Sequence, residues 1–227
     1  MDVMPNLCDV DLLCTDPAYR LISGGMAGRQ LGGIFGDEFY DNKGQLFPTL
    51  PYAEWLPAAR ATLATNADLF VMANDKNVRD CLNEYESNGI GLHNIFCWAK
   101  SNKTANKWGM KQVEFILYGW VGNARNLNDM GLSQLFHDAN PIGKDKRHPT
   151  QKPVSLMQKL VSNATDIGGL VLDPFMGSGS TLVGAKRCGR RAIGIELNEE
   201  HCQAAAEWLE TIEAYEHQVQ VMFGEDL

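Results

Sequence analysis

No stretch of the 227 residues is both apolar enough and long enough to span a bilayer, so a transmembrane protein is excluded on hydropathy. Met1-Asp2-Val3-Met4-Pro5 contains no basic segment followed by an apolar one, so no secretion signal is expected and the cytoplasm is the expected compartment. There is no internal repeat and no low-complexity tract. None of the six cysteines (Cys8, Cys14, Cys81, Cys97, Cys188, Cys202) forms a C-x-x-C pair, so neither a zinc site nor a disulfide framework is predicted. Reduced, mostly buried thiols are expected instead. Positive charge is also scarce: 20 Lys and Arg against 28 Asp and Glu leave a net charge of -8, which argues against a simple nucleic-acid binder.

What charge there is lies unevenly along the chain. Between Lys100 and Lys152 nine basic residues face four acidic ones, while the rest of the chain holds eleven against twenty-four. A basic middle on an acidic body is compatible with one DNA-facing surface, though a solvated lysine-rich loop would look the same.

Hydrophobic patterning predicts an α/β fold around a mostly parallel sheet. Strands are expected at Val10–Cys14, Asp68–Ala73, His93–Ala99, Val113–Trp120, Leu170–Leu172 and Ala192–Ile195, with a last one at Val219–Phe223. Helices are expected from Tyr52 to Ala64, Asn77 to Ser87, Pro153 to Thr165, Ser180 to Cys188 and Glu199 to Tyr215. The glycine-rich stretch from Gly24 to Gly36 and the polar run from Gly122 to Arg147 read as irregular. A single domain over residues 1–227 accommodates all of this.

The richest segment is Leu170-Val171-Leu172-Asp173-Pro174-Phe175-Met176-Gly177-Ser178-Gly179-Ser180-Thr181. A buried strand runs into a glycine turn and then a helix, a pattern that lets backbone lie close to a ligand at a helix N-terminus. Nineteen residues after Gly177, Glu196 closes the next strand, where a carboxylate can accept hydrogen bonds from ribose hydroxyls. A nicotinamide or flavin cofactor fits less well, because Leu182 stands where the dinucleotide pattern has its third glycine.

A second constellation, Asp16-Pro17-Ala18-Tyr19, sits where a strand gives way to a loop. Asp-Pro also opens ordinary turns. The chemical reading is that two acceptors, the Asp16 carboxylate and the Pro17 carbonyl, bind the N–H groups of an exocyclic amine. They favour a pyramidal, nucleophilic nitrogen, while Tyr19 offers a face for an extruded base.

Together these segments resemble the DNA N6-adenine/N4-cytosine methyltransferase family, with His148-Pro149-Thr150-Gln151-Lys152-Pro153 similar to its other cofactor segment. The order, catalytic tetrapeptide first and cofactor motif last, resembles the beta subgroup. The resemblance implies a doubly wound, mostly parallel, seven-stranded Rossmann-like sheet and S-adenosyl-L-methionine as cofactor. It implies that Asp173, Phe175, Gly177, Ser178 and Gly179 line the pocket, that Glu196 holds the ribose, and that Thr150, Gln151 and Lys152 close over the methionine end. Asp16, Pro17 and Tyr19 are the implied catalytic residues, and aspartate at the first position favours adenine N6 over cytosine N4. Ala18 replaces the family's second proline; it keeps its carbonyl but gives up stiffness at Pro17. A catalytically weak DNA-binding module on the same fold is the alternative from another class.

Duplex DNA is the expected partner, contacted through Lys100, Lys103, Lys107, Lys111, Lys144, Lys146 and Arg147, with sequence recognition in a variable insert at about 121–147. That insert is short, so a homodimer is a possible arrangement. Val219–Phe223 with Glu225 and Asp226 is expected to complete the sheet near the cofactor adenine.

Overall fold

The structure is a computed structural model that describes residues 3–18, 50–104, 109–143, 146–147 and 150–213. Seven strands form one sheet: β1 (Val10–Thr15), β2 (Leu63–Ala73), β3 (Gly91–Thr104), β4 (Lys111–Val121), β5 (Leu135–Phe136), β6 (Leu170–Asp173) and β7 (Arg191–Gly194). Their order is β5-β3-β4-β2-β1-β6-β7. β4 alone runs against its neighbours β2 and β3; the other pairings are parallel. This is the expected mostly parallel, doubly wound, Rossmann-like sheet.

Helices α1 (Tyr52–Thr62) and α2 (Val78–Ser87) cover one face, and α3 (Val154–Ala164) and α4 (Ser180–Arg187) cover the other. The alternation along β2 explains how. Leu69, Val71 and Ala73 join the core with Trp55, Leu56 and Tyr85, whereas Phe70 and Met72 join the core with Leu156, Leu160 and Val161. Successive strand side chains point to opposite faces, so a strand covered on both sides must be apolar throughout, as β2 is from Ala67 apart from Asp68. α5 (Glu199–Glu210) packs on α4 through Ala205, beside Met176 and Leu182.

Several boundaries differ from the sequence reading. α1 stops at Thr62, and Leu63 already belongs to β2, which is five residues longer at its start than expected. β5 lies inside the run read as irregular. The expected strand at Val219–Phe223, with Glu225 and Asp226, lies outside the described residues; among those described, the seventh strand is β5. Of the thiols, Cys14, Cys81 and Cys188 are buried, but Cys8 and Cys202 are exposed. No described helix is long and apolar enough to cross a membrane.

The chain passes from β1 to β2 on one side and reaches β6 on the other, so the sheet order reverses between β1 and β6. In open α/β sheets the crevice beyond the carboxyl ends of the strands at such a point is the usual ligand site.

Candidate active site

Period-two alternation places Leu12, Cys14 and Asp16 on the α3 face of β1, with Asp16 just past the strand's end. Trp98 and Glu114 are cross-strand partners on β3 and β4, and Lys100 stands two residues beyond Trp98. Because β4 is reversed, its beginning lies at the edge where the parallel strands end. Glu114 therefore meets Asp16 and Lys100 at one rim. Lys152, in the segment entering α3, reaches in from above.

The four charges form a chain. The Lys152 ammonium donates to Asp16 Oδ2 and lies 3.4 Å from Glu114 Oε2, while Lys100 Nζ donates to Glu114 Oε1 at 2.5 Å. Lys152 is 8% exposed. Burial works against its charge, but the Asp16 and Glu114 carboxylates outweigh burial and hold its pKa above the usual lysine range. Burial likewise opposes ionisation of Glu114, yet Lys152 and Lys100 together keep its carboxyl below the usual range. The Trp98 indole, fixed by its N–H donating to the Asp138 carbonyl at 2.8 Å, lies 5.9 Å below both ammonium groups.

The glycine turn lies next door. β6 pairs with β1 and ends at Asp173, whose Oδ1 accepts from Thr15 Oγ1 at 2.6 Å and from the Phe175 amide at 3.1 Å. Burial still pushes the Asp173 carboxyl up to about 6. Gly179 holds φ +85 as the residue before α4, and a Cβ there would stand 3.0 Å from Ala205 Cβ. Glu196 is fixed at the tip of β7: its Oε2 accepts from the Gly177 amide at 3.1 Å and its Oε1 from the Asn198 amide at 2.9 Å. Phe175 packs edge-on against Trp55 with centroids 5.0 Å apart. Ser178 is buried in the same turn. Gln151 accepts from the Arg147 amide, and Thr150 is exposed beside it.

Residues 111–207 match the DNA methylase family of N6 and N4 enzymes. The chain is thus similar to the N6/N4 DNA methylases over that segment. The Type II methyltransferase M2.DpnII of Streptococcus pneumoniae is 28% identical to it, over 88% of this chain and 82% of that protein. Two solved structures share the fold. M1.HpyAVI in complex with SAM has a TM-score of 0.70 at 24% identity and covers 92% of this chain and 94% of its own. The cytosine-N4-specific PvuII DNA methyltransferase has a TM-score of 0.68 at 17% identity and covers 92% and 83%.

Not every residue singled out from the sequence lies where its expected role would put it. Lys100, expected on phosphate, is paired with Glu114 inside the rim. Lys152, expected over the cofactor's methionine end, has its ammonium on Asp16 and Glu114. Lys111 pairs with Asp75 at 2.9 Å, Lys103 is exposed, and the Arg147 guanidinium lies 5.0 Å over the Trp208 ring. Lys146 is half-buried. Tyr19, Lys107 and Lys144 lie outside the described residues. The first part of the variable insert is fastened to the far end of the molecule: Asn128 donates to the Ser162 and Thr165 carbonyls at 2.8 Å, and Arg125 approaches Asp68 and Asp166. Ser162, Thr165 and Asp166 lie at the end of α3 remote from Lys152, so this part is held away from the rim. Thr15 was not among the site residues read from the sequence, and Glu114, like Trp98 and Lys100, carried a loose resemblance to positions around the family's later strands. The partners of Thr15 and Glu114 are distant in the chain, and no local spacing announces them.

Proposed function

We propose that this DNA methyltransferase transfers a methyl group to adenine N6 in duplex DNA, on a base flipped out of the stack, with S-adenosyl-L-methionine as cofactor. One observation carries the reading: the Asp16 carboxylate and the Asp173 glycine turn stand on adjacent strands at the point where the sheet order reverses. An amine acceptor and a cofactor pocket are thereby neighbours. The residues of the turn suit this cofactor: a backbone-anchored carboxylate, Glu196, for a ribose diol, an aromatic side chain at Phe175, and free backbone at the start of α4. The cofactor supplies an electrophilic methyl group on a sulfonium.

The rest falls to the chain. The Asp16 carboxylate and the Pro17 carbonyl accept from the target N–H groups and aim the nitrogen lone pair at the methyl carbon. After transfer the nitrogen holds one proton too many, and Asp16 is the base placed to take it. No covalent enzyme intermediate is required, so positioning and local electrostatics supply most of the acceleration. Aspartate rather than serine at position 16 supports adenine over cytosine.

The test is transfer of a labelled methyl group from S-adenosylmethionine to unmethylated duplex DNA, followed by digestion to nucleosides. N6-methyladenine is expected. N4-methylcytosine would move the target while leaving the chemistry in place, and cofactor binding with no transfer would leave a binding module. Asp16→Ala is expected to abolish turnover with cofactor affinity largely kept; a normal rate in that variant would overturn Asp16's role.

A further inference from the structure

We propose that Glu114 is a positioning residue for methyl transfer, the standby counter-ion that receives the Lys152 ammonium when the target amine occupies Asp16. The inference rests on the reading of Asp16 given above.

Asp16 has two demands on it. Its carboxylate holds Lys152, and the same carboxylate must accept from the incoming amine. An ammonium in contact with a carboxylate draws away its acceptor strength, so tight pairing and full activation of the amine compete. Lys152 cannot simply let go, because a buried ammonium without a partner is heavily penalised by desolvation. It needs a second carboxylate within reach.

Glu114 meets that need. Its Oε1 is taken by Lys100 at 2.5 Å, which fixes the side chain. Its buried Oε2 makes no hydrogen bond, yet stands 3.4 Å from Lys152 Nζ. The ammonium therefore has a short path from one oxygen to the other, over an indole floor equidistant from both lysines at 5.9 Å. Lys100 and Lys152 balance Asp16 and Glu114 in charge, so the handover leaves the cluster neutral. Asp173 is the next carboxylate facing Asp16, and it is held by Thr15 rather than by either lysine.

The readout is single-turnover methyl transfer from labelled S-adenosylmethionine to unmethylated duplex DNA, with cofactor affinity by calorimetry and thermal melting as controls. Glu114→Gln is expected to slow the transfer step roughly 10- to 100-fold, the scale of a misaligned reacting group, with cofactor affinity within about twofold. If Glu114 acts through Lys152, the double variant Glu114→Gln/Lys152→Met is no slower than Lys152→Met alone. A wild-type rate in Glu114→Gln overturns the proposal, as does a double loss equal to the product of the single losses. Should Glu114→Gln not fold, Glu114→Asp keeps the charge but withdraws it by one methylene; the same loss is expected, and a normal rate overturns the idea. Failure of the functional reading looks different: the unaltered protein would then methylate no DNA.

Discussion

A carboxyl group shut away from water, as Asp173 is, prefers to keep its proton. Its folded pKa of about 6 lies above the unfolded value of about 3.9, so the native state binds more protons between those limits. Stability is fullest below about pH 4 and falls as pH rises through about 6, by about 3 kcal/mol for this group. Asp173→Asn keeps an oxygen for Thr15 and the Phe175 amide but cannot ionise. Denaturant unfolding at pH 4 and pH 7.5 should show a pH-dependent loss smaller by about 2–3 kcal/mol than in the unaltered protein, together with weaker cofactor binding. An identical pH dependence in the two proteins would place the burden elsewhere. Asp173 and the glycine turn were legible in the sequence because strand, turn and helix follow within a dozen residues. The Lys152–Asp16–Glu114 cluster was not. Its members come from three distant segments, and a lysine in a basic stretch looks the same on paper whether it faces phosphate or a buried glutamate.

Elements show the same division between local and distant causes. The alternation of strands and helices was readable from apolar runs and breakers, whereas β5, with two residues, is too short to carry any period. The early start of β2 at Leu63 is set by pairing with Val10, a partner fifty residues away that no window sees. Where β4 ends, Gly122 turns the chain at φ +70, and a Cβ there would lie 2.0 Å from the Thr65 carbonyl oxygen. Backbone cannot yield as a side-chain tip can. Gly122→Ala should therefore lower stability by more than about 2 kcal/mol, combining left-handed strain with the clash. A midpoint of urea unfolding unchanged from the parent would refute it. Asn128→Ala, which removes two hydrogen bonds to the end of α3, should cost about 1 kcal/mol and leave methyl transfer intact, since the Arg190 guanidinium still serves those carbonyls. A loss of turnover at unchanged stability would contradict the remote placement of that segment.

For the molecule as a whole, net charge opposes DNA binding and local charge must favour it. Each phosphate neutralised steepens the salt dependence of binding by about 0.9 in log–log slope. Lys103 is exposed on β3, and with the proposed role on phosphate Lys103→Met should flatten the slope by about that amount. Lys100→Met should leave the slope nearly unchanged and slow the chemical step instead, because its ammonium is spent on Glu114. Equal changes of slope in both variants would mean that the two lysines meet DNA alike. The mostly parallel α/β sheet was legible in the sequence; which lysines are spent on ion pairs was not, because ion pairing is settled only when the chain is folded.

The reversal of β4 reaches beyond the rim it helps to build. β2 ends at Ala73, opposite Phe115, while β3 and β4 run on together to the Thr104–Lys111 pair. The two strands thus run past the end of β2, with Ser101 tied to Asn140 and Lys111 to Asp75. Ser101, Asn102, Lys103, Gly109 and Met110 on this extension are exposed, so they can be exchanged with little disturbance to the interior. Changes confined to those positions would alter the surface beside the Asp16 rim and leave the interior as it is.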